Sequence, residues 1–152
     1  MATVRAMTDL CLNLVTKQKV PFGVEPLALI WSLDHWVSTL DRVCDIRCLE
    51  ESAVKQRFIL HFDAGRPEPD CVEVERRRFD NRICVIHQIP PPGINALSAD
   101  WWTEAENPGV LFASRRMLLD ENTYSPAMAR SMFGLLRENI DRLIGRQSCN
   151  NE

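Results

Sequence analysis

The run DCVEVERRRFD, residues 70–80, carries the densest set of groups able to do chemistry. Alternation along a strand puts Cys71, Glu73, Glu75 and Arg77 on one face and Val72, Val74 and Arg76 on the other. A guanidinium stays charged and offers a planar fork of donors, which suits it to a developing oxyanion. The two carboxyls beside it could supply a general base: burial raises their pKa and the arginine lowers it. The plainer reading is a solvated ion ladder on a strand face, worth at most about 1 kcal/mol. Glutamate is also seldom fully buried.

Two histidines sit in strand-like runs, His61 in AVKQRFILHFD and His87 in RICVIHQI. His87 shares a face with Val85 and Ile89 and is expected to look inward. An imidazole there titrates near neutral pH and could move protons as a general acid or base. The competing reading is a satisfied structural histidine, since no acidic partner lies at a fixed spacing. His35, beside Trp36 at a helix end, reads as a cap or surface residue. Ser114 and the scattered Asp, His and Ser residues form no nucleophile-elbow sequence. There is no GxGxxG and no P-loop, so no cofactor is expected.

The elements that must position these groups follow from hydrophobic period. Residues 5–15 alternate loosely and read as an edge or closing strand. KVPFGVEP is a turn, punctuated by Pro21, Gly23 and Pro26. In PLALIWSLDHWVSTL, the residues Leu27, Ile30, Trp31, Leu33, Trp36 and Leu40 recur at helical spacing. This predicts one kinked helix, or two short ones broken near Asp34. The period then drops to two, and six strands follow in succession, with turns at residues 79–82 and at Asn107-Pro108-Gly109 and a break at PPPG. Ser125 and Pro126 are the N-cap and first residue of a final helix. Its inner stripe is Ala129, Met132, Phe133, Leu136, Ile140, Leu143 and Ile144, and Arg130, Arg137, Glu138, Asp141 and Arg142 decorate its outer face. Strands joined by short turns make an antiparallel meander. A long amphipathic helix can fill its concave face and leave a cavity for an apolar ligand.

The bulk numbers fit one domain spanning residues 1–152, with 147–152 a frayed tail. The chain is 45% hydrophobic and 26% charged, with net charge −3. That balance argues against nucleic acid as a partner. No apolar run approaches a membrane span, and the N-terminus lacks a secretory h-region, so a cytoplasmic location is expected. The six cysteines (Cys11, Cys44, Cys48, Cys71, Cys84 and Cys149) are then reduced. They show no zinc-site spacing, which predicts no metal, and they read as small buried hydrophobes.

Three stretches carry a likeness to a known family. LALIWSLDHW has an aspartate, Asp34, just before a tryptophan, Trp36, with Leu40 after it. EVERRRFD keeps an arginine and a turn aspartate, Arg77 and Asp80, from a strand pattern WxSxR. LSADWW…NPGVLFASR has a small residue, a spacer and a tryptophan (Ala99, Trp101), then a Gly turn at Gly109. Over about residues 21–146 the ordered pattern resembles the START-like (SRPBCC, helix-grip) superfamily. Within it, the pattern is most similar to the aromatase/cyclase proteins of bacterial aromatic-polyketide pathways. The departure is that Glu73 and Glu75 stand where the family has Trp and Ser. A register slip of one would bring Arg76 or Arg78 inward instead of Arg77.

The resemblance implies an α+β helix-grip fold, a curved antiparallel sheet of six to seven strands wrapped round the C-terminal helix. It implies a cofactor-free cyclase that directs aldol cyclisation and dehydration of a reactive polyketide-type intermediate, either released or held on an acyl carrier protein. Arg77 would polarise carbonyls, with Glu75 or His87 moving protons. Trp36, Leu40, Phe58, Phe62, Glu73, Trp101, Phe112, Met132 and Leu136 would line the substrate site. Two rivals stand beside this reading: a non-catalytic carrier or sequestering protein for a hydrophobic small molecule, and a pericyclic-type cyclase relying on shape. Glu75 and Arg77 directed into a cavity favour the enzyme; both directed to solvent favour the carrier. A homodimer is a further possibility.

Adjacent tryptophans in a strand face opposite ways. The family pattern and the polarity of its neighbours both put Trp101 inward with Leu97 and Ala99. Trp102 then shares the outer face with Ser98, Asp100 and Glu104. An outward indole there invites a lid, a carrier-protein contact or a dimer seam.

Overall fold

The computed structural model describes residues 10–63, 65, 67–90 and 93–145, with only the backbone of Ala129 and Phe133. The order is β1 (Leu10–Lys19), α1 (Pro26–Trp31), α2 (Leu33–Thr39), β2 (Val43–Glu51), β3 (Lys55–Phe62), β4 (Asp70–Phe79), β5 (Arg82–Ile89), β6 (Ile94–Trp102), β7 (Val110–Leu119) and α3 (Pro126–Leu143). All seven strands join one antiparallel sheet in the order β1-β7-β6-β5-β4-β3-β2. The sheet is curved and α3 lies across it, the expected helix-grip arrangement.

Sequence chemistry explains the joints. The helical stretch breaks at Ser32, whose extended backbone ends α1 and whose hydroxyl caps the His35 N–H of α2. Ser125 caps α3 through the Met128 N–H, with Pro126 at the first position. On α3, Leu136, Ile140 and Leu143 are buried, as is Ile144 at its C-cap. Arg130, Arg137, Glu138 and Arg142 are exposed, whereas Asp141 is half-buried and accepts from Gln18 Nε2 at 2.6 Å. The expected contribution of Ala129 and Phe133 lies outside the described side chains, as does the tail from residue 146.

Two expectations are corrected. The first strand extends to Lys19 rather than ending at Val15; it is described from Leu10, and the expected residues 5–9 lie outside the described residues. Its second half, TKQK, looks polar, but Thr16 and Gln18 are the buried partners of exposed Lys17 and Lys19. The cysteines are not core residues: Cys11, Cys44, Cys48 and Cys71 are exposed and Cys84 is half-buried, while Cys149 lies outside the described residues. A single sheet backed by one helix leaves its convex face open, and apolar runs alternate onto that face too.

Candidate functional site in the concave face of the sheet

A cavity of about 640 Å³ lies between α3 and the sheet. The inward positions of each strand build it: Phe58, Leu60 and Phe62 from β3, Val72, Val74 and Arg76 from β4, Val85 and His87 from β5, Leu97, Ala99 and Trp101 from β6, and Arg115 and Met117 from β7. Trp36 and Leu40 close one side, and Met132 and Leu136 of α3 form the roof. The carboxylates that reach it, Asp41, Asp63 and Glu138, are all exposed at its rim. Trp36 meets Trp101 edge-on, with centroids 6.2 Å apart.

Eight of the expected ligand-wall and catalytic positions therefore come together: Trp36, Leu40, Phe58, Phe62, His87, Trp101, Met132 and Leu136. Four do not. Glu73, Glu75 and Arg77 are on the convex face, because burial of Val72 and Val74 fixes β4 with Arg76 inward. There they form the ion ladder: Lys55 lies 3.8 Å from Glu75, Arg57 lies 3.5 Å from Glu73, and Arg77 Nε lies 3.4 Å from Glu75. Phe112 also points outward, since Leu111 and Ala113 take the inward positions of β7. It stacks on its cross-strand partner Trp102, with centroids 5.5 Å apart and planes 12° apart. The Arg82 guanidinium lies 4.8 Å from the Trp102 ring centroid, and the indole N–H donates to Glu104. The outward indole thus has partners within its own chain.

Arg76 was the register alternative, and its surroundings give it a different task. Its Nε and Nη2 donate to Gln56 Oε1, Nη1 donates to the Ile30 carbonyl at 2.7 Å, and Nη2 donates to the Trp31 carbonyl at 2.8 Å. Gln56 Nε2 and Trp36 Nε1 donate to the same two carbonyls. These are the orphan acceptors at the C-terminus of α1, the negative end of its dipole. Trp31, Phe58 and Trp36 surround the guanidinium with centroids 5.1–5.7 Å away. Burial pulls its pKa down to about 9, so it remains charged at neutral pH. With four of its five N–H donors bonded to protein, Arg76 anchors α1 to the sheet.

Arg115 and His87 differ from it. Val85, Ala99 and Arg115 form one row across β5, β6 and β7, and His87 is the next inward position along β5. Arg115 Nε and His87 Nδ1 are buried without a hydrogen-bond partner among the described residues. Burial lowers the Arg115 pKa to about 10, which still leaves it charged. Burial first, and the Arg115 charge second, push His87 down to about 3 against a backbone hydrogen bond at Leu97. The imidazole is therefore neutral at physiological pH, a hydrogen-bonding group rather than a strong base. Sequence reasoning missed Arg115, although Leu111, Ala113, Met117 and Leu119 flank it at strict alternation.

The other histidines do not line the cavity. His35 is not a free surface residue: its Nε2 lies 2.7 Å from the Leu143 carbonyl, tying α2 to the end of α3. His61 occupies the outward position between Leu60 and Phe62. A separate depression of about 660 Å³ lies in the loops around Phe22, Asn81, Glu104 and Pro108. No group of three or more His, Cys, Asp or Glu side chains among the described residues could hold a metal ion. No helix among them is long and apolar enough to cross a membrane.

Solved structures share this fold at low identity. The Zhui aromatase/cyclase from Streptomyces sp. R1128 matches with TM-score 0.70 and 14% identity over 90% of this chain and 93% of its own. The di-domain aromatase/cyclase StfQ of the steffimycin biosynthetic pathway matches with TM-score 0.75 and 14% identity, over 90% of this chain and 50% of its own. Ginseng major latex-like protein 151 from Panax ginseng matches with TM-score 0.63 and 11% identity over 89% of this chain and 95% of its own. No family model matches, and the search of curated proteins finds no match.

Proposed function

We propose that the protein is a cofactor-free cyclase for polyketide-type intermediates, which it takes into the concave cavity and folds for aldol ring closure. One observation carries this reading: a charged guanidinium, Arg115, faces an apolar cavity with no inward carboxylate to neutralise it. Arg115 is half-buried with its Nε sealed from solvent, and a charge so placed without a counter-ion marks functional sites. In an aldol step an acidic α-C–H between two carbonyls gives its proton to water, and the resulting enolate carbon attacks a carbonyl carbon, whose π pair moves onto oxygen. The new alkoxide takes that proton back from the hydronium, and loss of the hydroxyl with a neighbouring C–H proton expels water. Arg115 would stabilise the enolate and alkoxide oxygens, and the free Nδ1 of His87 would accept from an enol or alcohol O–H of the chain. The aromatic wall, Trp36, Phe58, Phe62 and Trp101, would stack on the flattening chain and exclude bulk water. This assignment moves the role first expected of Arg77 to Arg115. An acyl carrier protein is the natural donor of so reactive a chain.

A second reading has its own support. Glu75 and Arg77 face solvent, the arrangement expected of a carrier, and the fold also serves non-enzymatic binding proteins. Incubation with a released or carrier-bound polyketone decides between them. A cyclase shifts the mixture of spontaneous ring-closure products toward one regioisomer at catalytic protein concentration. A carrier slows loss of the polyketone only in stoichiometric amounts.

A further inference from the structure

Arginines on the two faces of this sheet are treated differently. On the convex face Arg116 pairs with Asp100 at 3.3 Å, Arg82 with the same carboxylate at 3.6 Å, and Arg77 with Glu75 at 3.4 Å. Inward, Arg76 is satisfied by Gln56 and the end of α1. Among the described residues, Arg115 alone of these five has neither an ion pair nor a partner for its buried Nε. His87 Nδ1 is also unpartnered among them, and His87 is the next inward position on β5 after the Val85-Ala99-Arg115 row, so both groups face the same cavity.

From this juxtaposition we infer that Arg115 is a seat for a delocalised oxyanion, with His87 Nδ1 a hydrogen-bond acceptor in the same cavity, so that the preferred ligand is a flat apolar molecule bearing one acidic oxygen group. The planar guanidinium matches a carboxylate or a 1,3-dicarbonyl enolate in shape and charge. With its one N–H held by the Leu97 carbonyl, the neutral imidazole can accept from an acidic enol at Nδ1, which a protonated ring could not do. The apolar walls then select for the carbon skeleton and the seat for its acidic end. This specificity rests on the cavity being the ligand site, as proposed above, and goes beyond it in naming the ligand's charge.

The test needs no natural substrate. Calorimetric titration of the wild-type chain at pH 7 compares 2-naphthoate with its neutral isostere 2-naphthamide, and naphthoylacetone with the monoketone 2-acetonaphthone. The seat predicts that 2-naphthoate binds at least tenfold tighter than the amide, or that the diketone exceeds the monoketone by as much, with its enolate absorption band appearing on binding. Success of the carboxylate pair assigns a finished acid as ligand; success of the diketone pair assigns the reactive intermediate. In Arg115→Gln the preference disappears while neutral ligands still bind, and in Arg116→Gln it is unchanged. Equal binding within both wild-type pairs overturns the seat but leaves the apolar cavity reading intact. Failure of all four ligands to bind overturns both. Because the ligand pairs are read in the wild-type chain, the outcome does not depend on the folding of any variant.

Discussion

Arg76 and Trp31 are held together twice: the guanidinium donates a 2.8 Å hydrogen bond to the Trp31 carbonyl and lies 5.1 Å from the centroid of the Trp31 ring. The contact joins residues far apart in the chain and fixes α1, and with it the neighbouring α2 wall of the cavity, against β3 and β4. Arg76→Leu should destabilise the fold by about 3 kcal/mol, because charge-assisted bonds are lost and Gln56 Oε1 loses both its donors. Arg76→Lys should recover only part of this, since an ammonium lacks the fork. Arg77→Gln on the opposite face should change stability by less than about 1 kcal/mol. Urea denaturation of the three variants checks the ordering.

His87 makes stability pH-dependent in a defined direction. Its folded pKa of about 3 is below the 6.5 of an exposed imidazole, so the unfolded chain binds its proton first as pH falls. The stability linked to neutral His87 is fully present above pH 6.5 and is lost progressively as pH drops toward 3. Wild type should therefore lose about 2 kcal/mol more than His87→Gln between pH 6.5 and 4.5. Urea melts at the two pH values measure the difference, and parallel losses in the two proteins would refute the neutral, buried assignment.

Ala99, the cross-strand partner of Arg115 and a cavity-lining residue, leaves space beside the guanidinium's strand. Ala99→Leu should fill part of the cavity and lower affinity for naphthalene-sized ligands at least tenfold. Overpacking should cost no more than about 1–3 kcal/mol. Calorimetric titration with a melting curve separates loss of space from loss of fold.

Gly93 enters β6 with φ +82°, and an added Cβ would lie 2.7 Å from Thr123 Cγ2 and 2.8 Å from Tyr124 Cε2. Gly109 has φ +78° but open space around it. Alanine at Gly109 should cost about 1 kcal/mol from backbone strain alone, and alanine at Gly93 clearly more, because the neighbours must also shift. The difference in melting temperature between the two variants tests this.

Much of this architecture was legible from period and punctuation. The switch from helical to alternating spacing after Leu40 located the meander, and Ser125-Pro126 located α3. Polarity of the neighbours oriented Trp101 and Trp102. Around Arg76 two signals conflicted. Alternation with Val72 and Val74 placed Arg76 inward, whereas the family-like pattern drew attention to Arg77; burial of the valines decides for Arg76. What alternation could not reveal is whether an inward arginine is already satisfied. The acceptors for Arg76 lie at the end of α1 and on β3, while the Arg115 Nε has none among the described residues, and that contrast exists only once the strands are registered and α1 is docked. Phe112 was misplaced for a related reason: an aromatic in a strand was assigned to the wall by residue type, although its parity on β7 matches Trp102.

The inward Arg115, not the outward Arg77, is the residue proposed to govern what the cavity does to its ligand. Product profiling of a reactive polyketone with wild type, Arg115→Gln and Arg77→Gln separates the two. Arg115→Gln should return the product distribution toward the spontaneous one with at least a tenfold loss of directed product, while Arg77→Gln should match wild type. A folded Arg115→Gln protein with the wild-type distribution, or an Arg77→Gln protein that loses it, would contradict the claim.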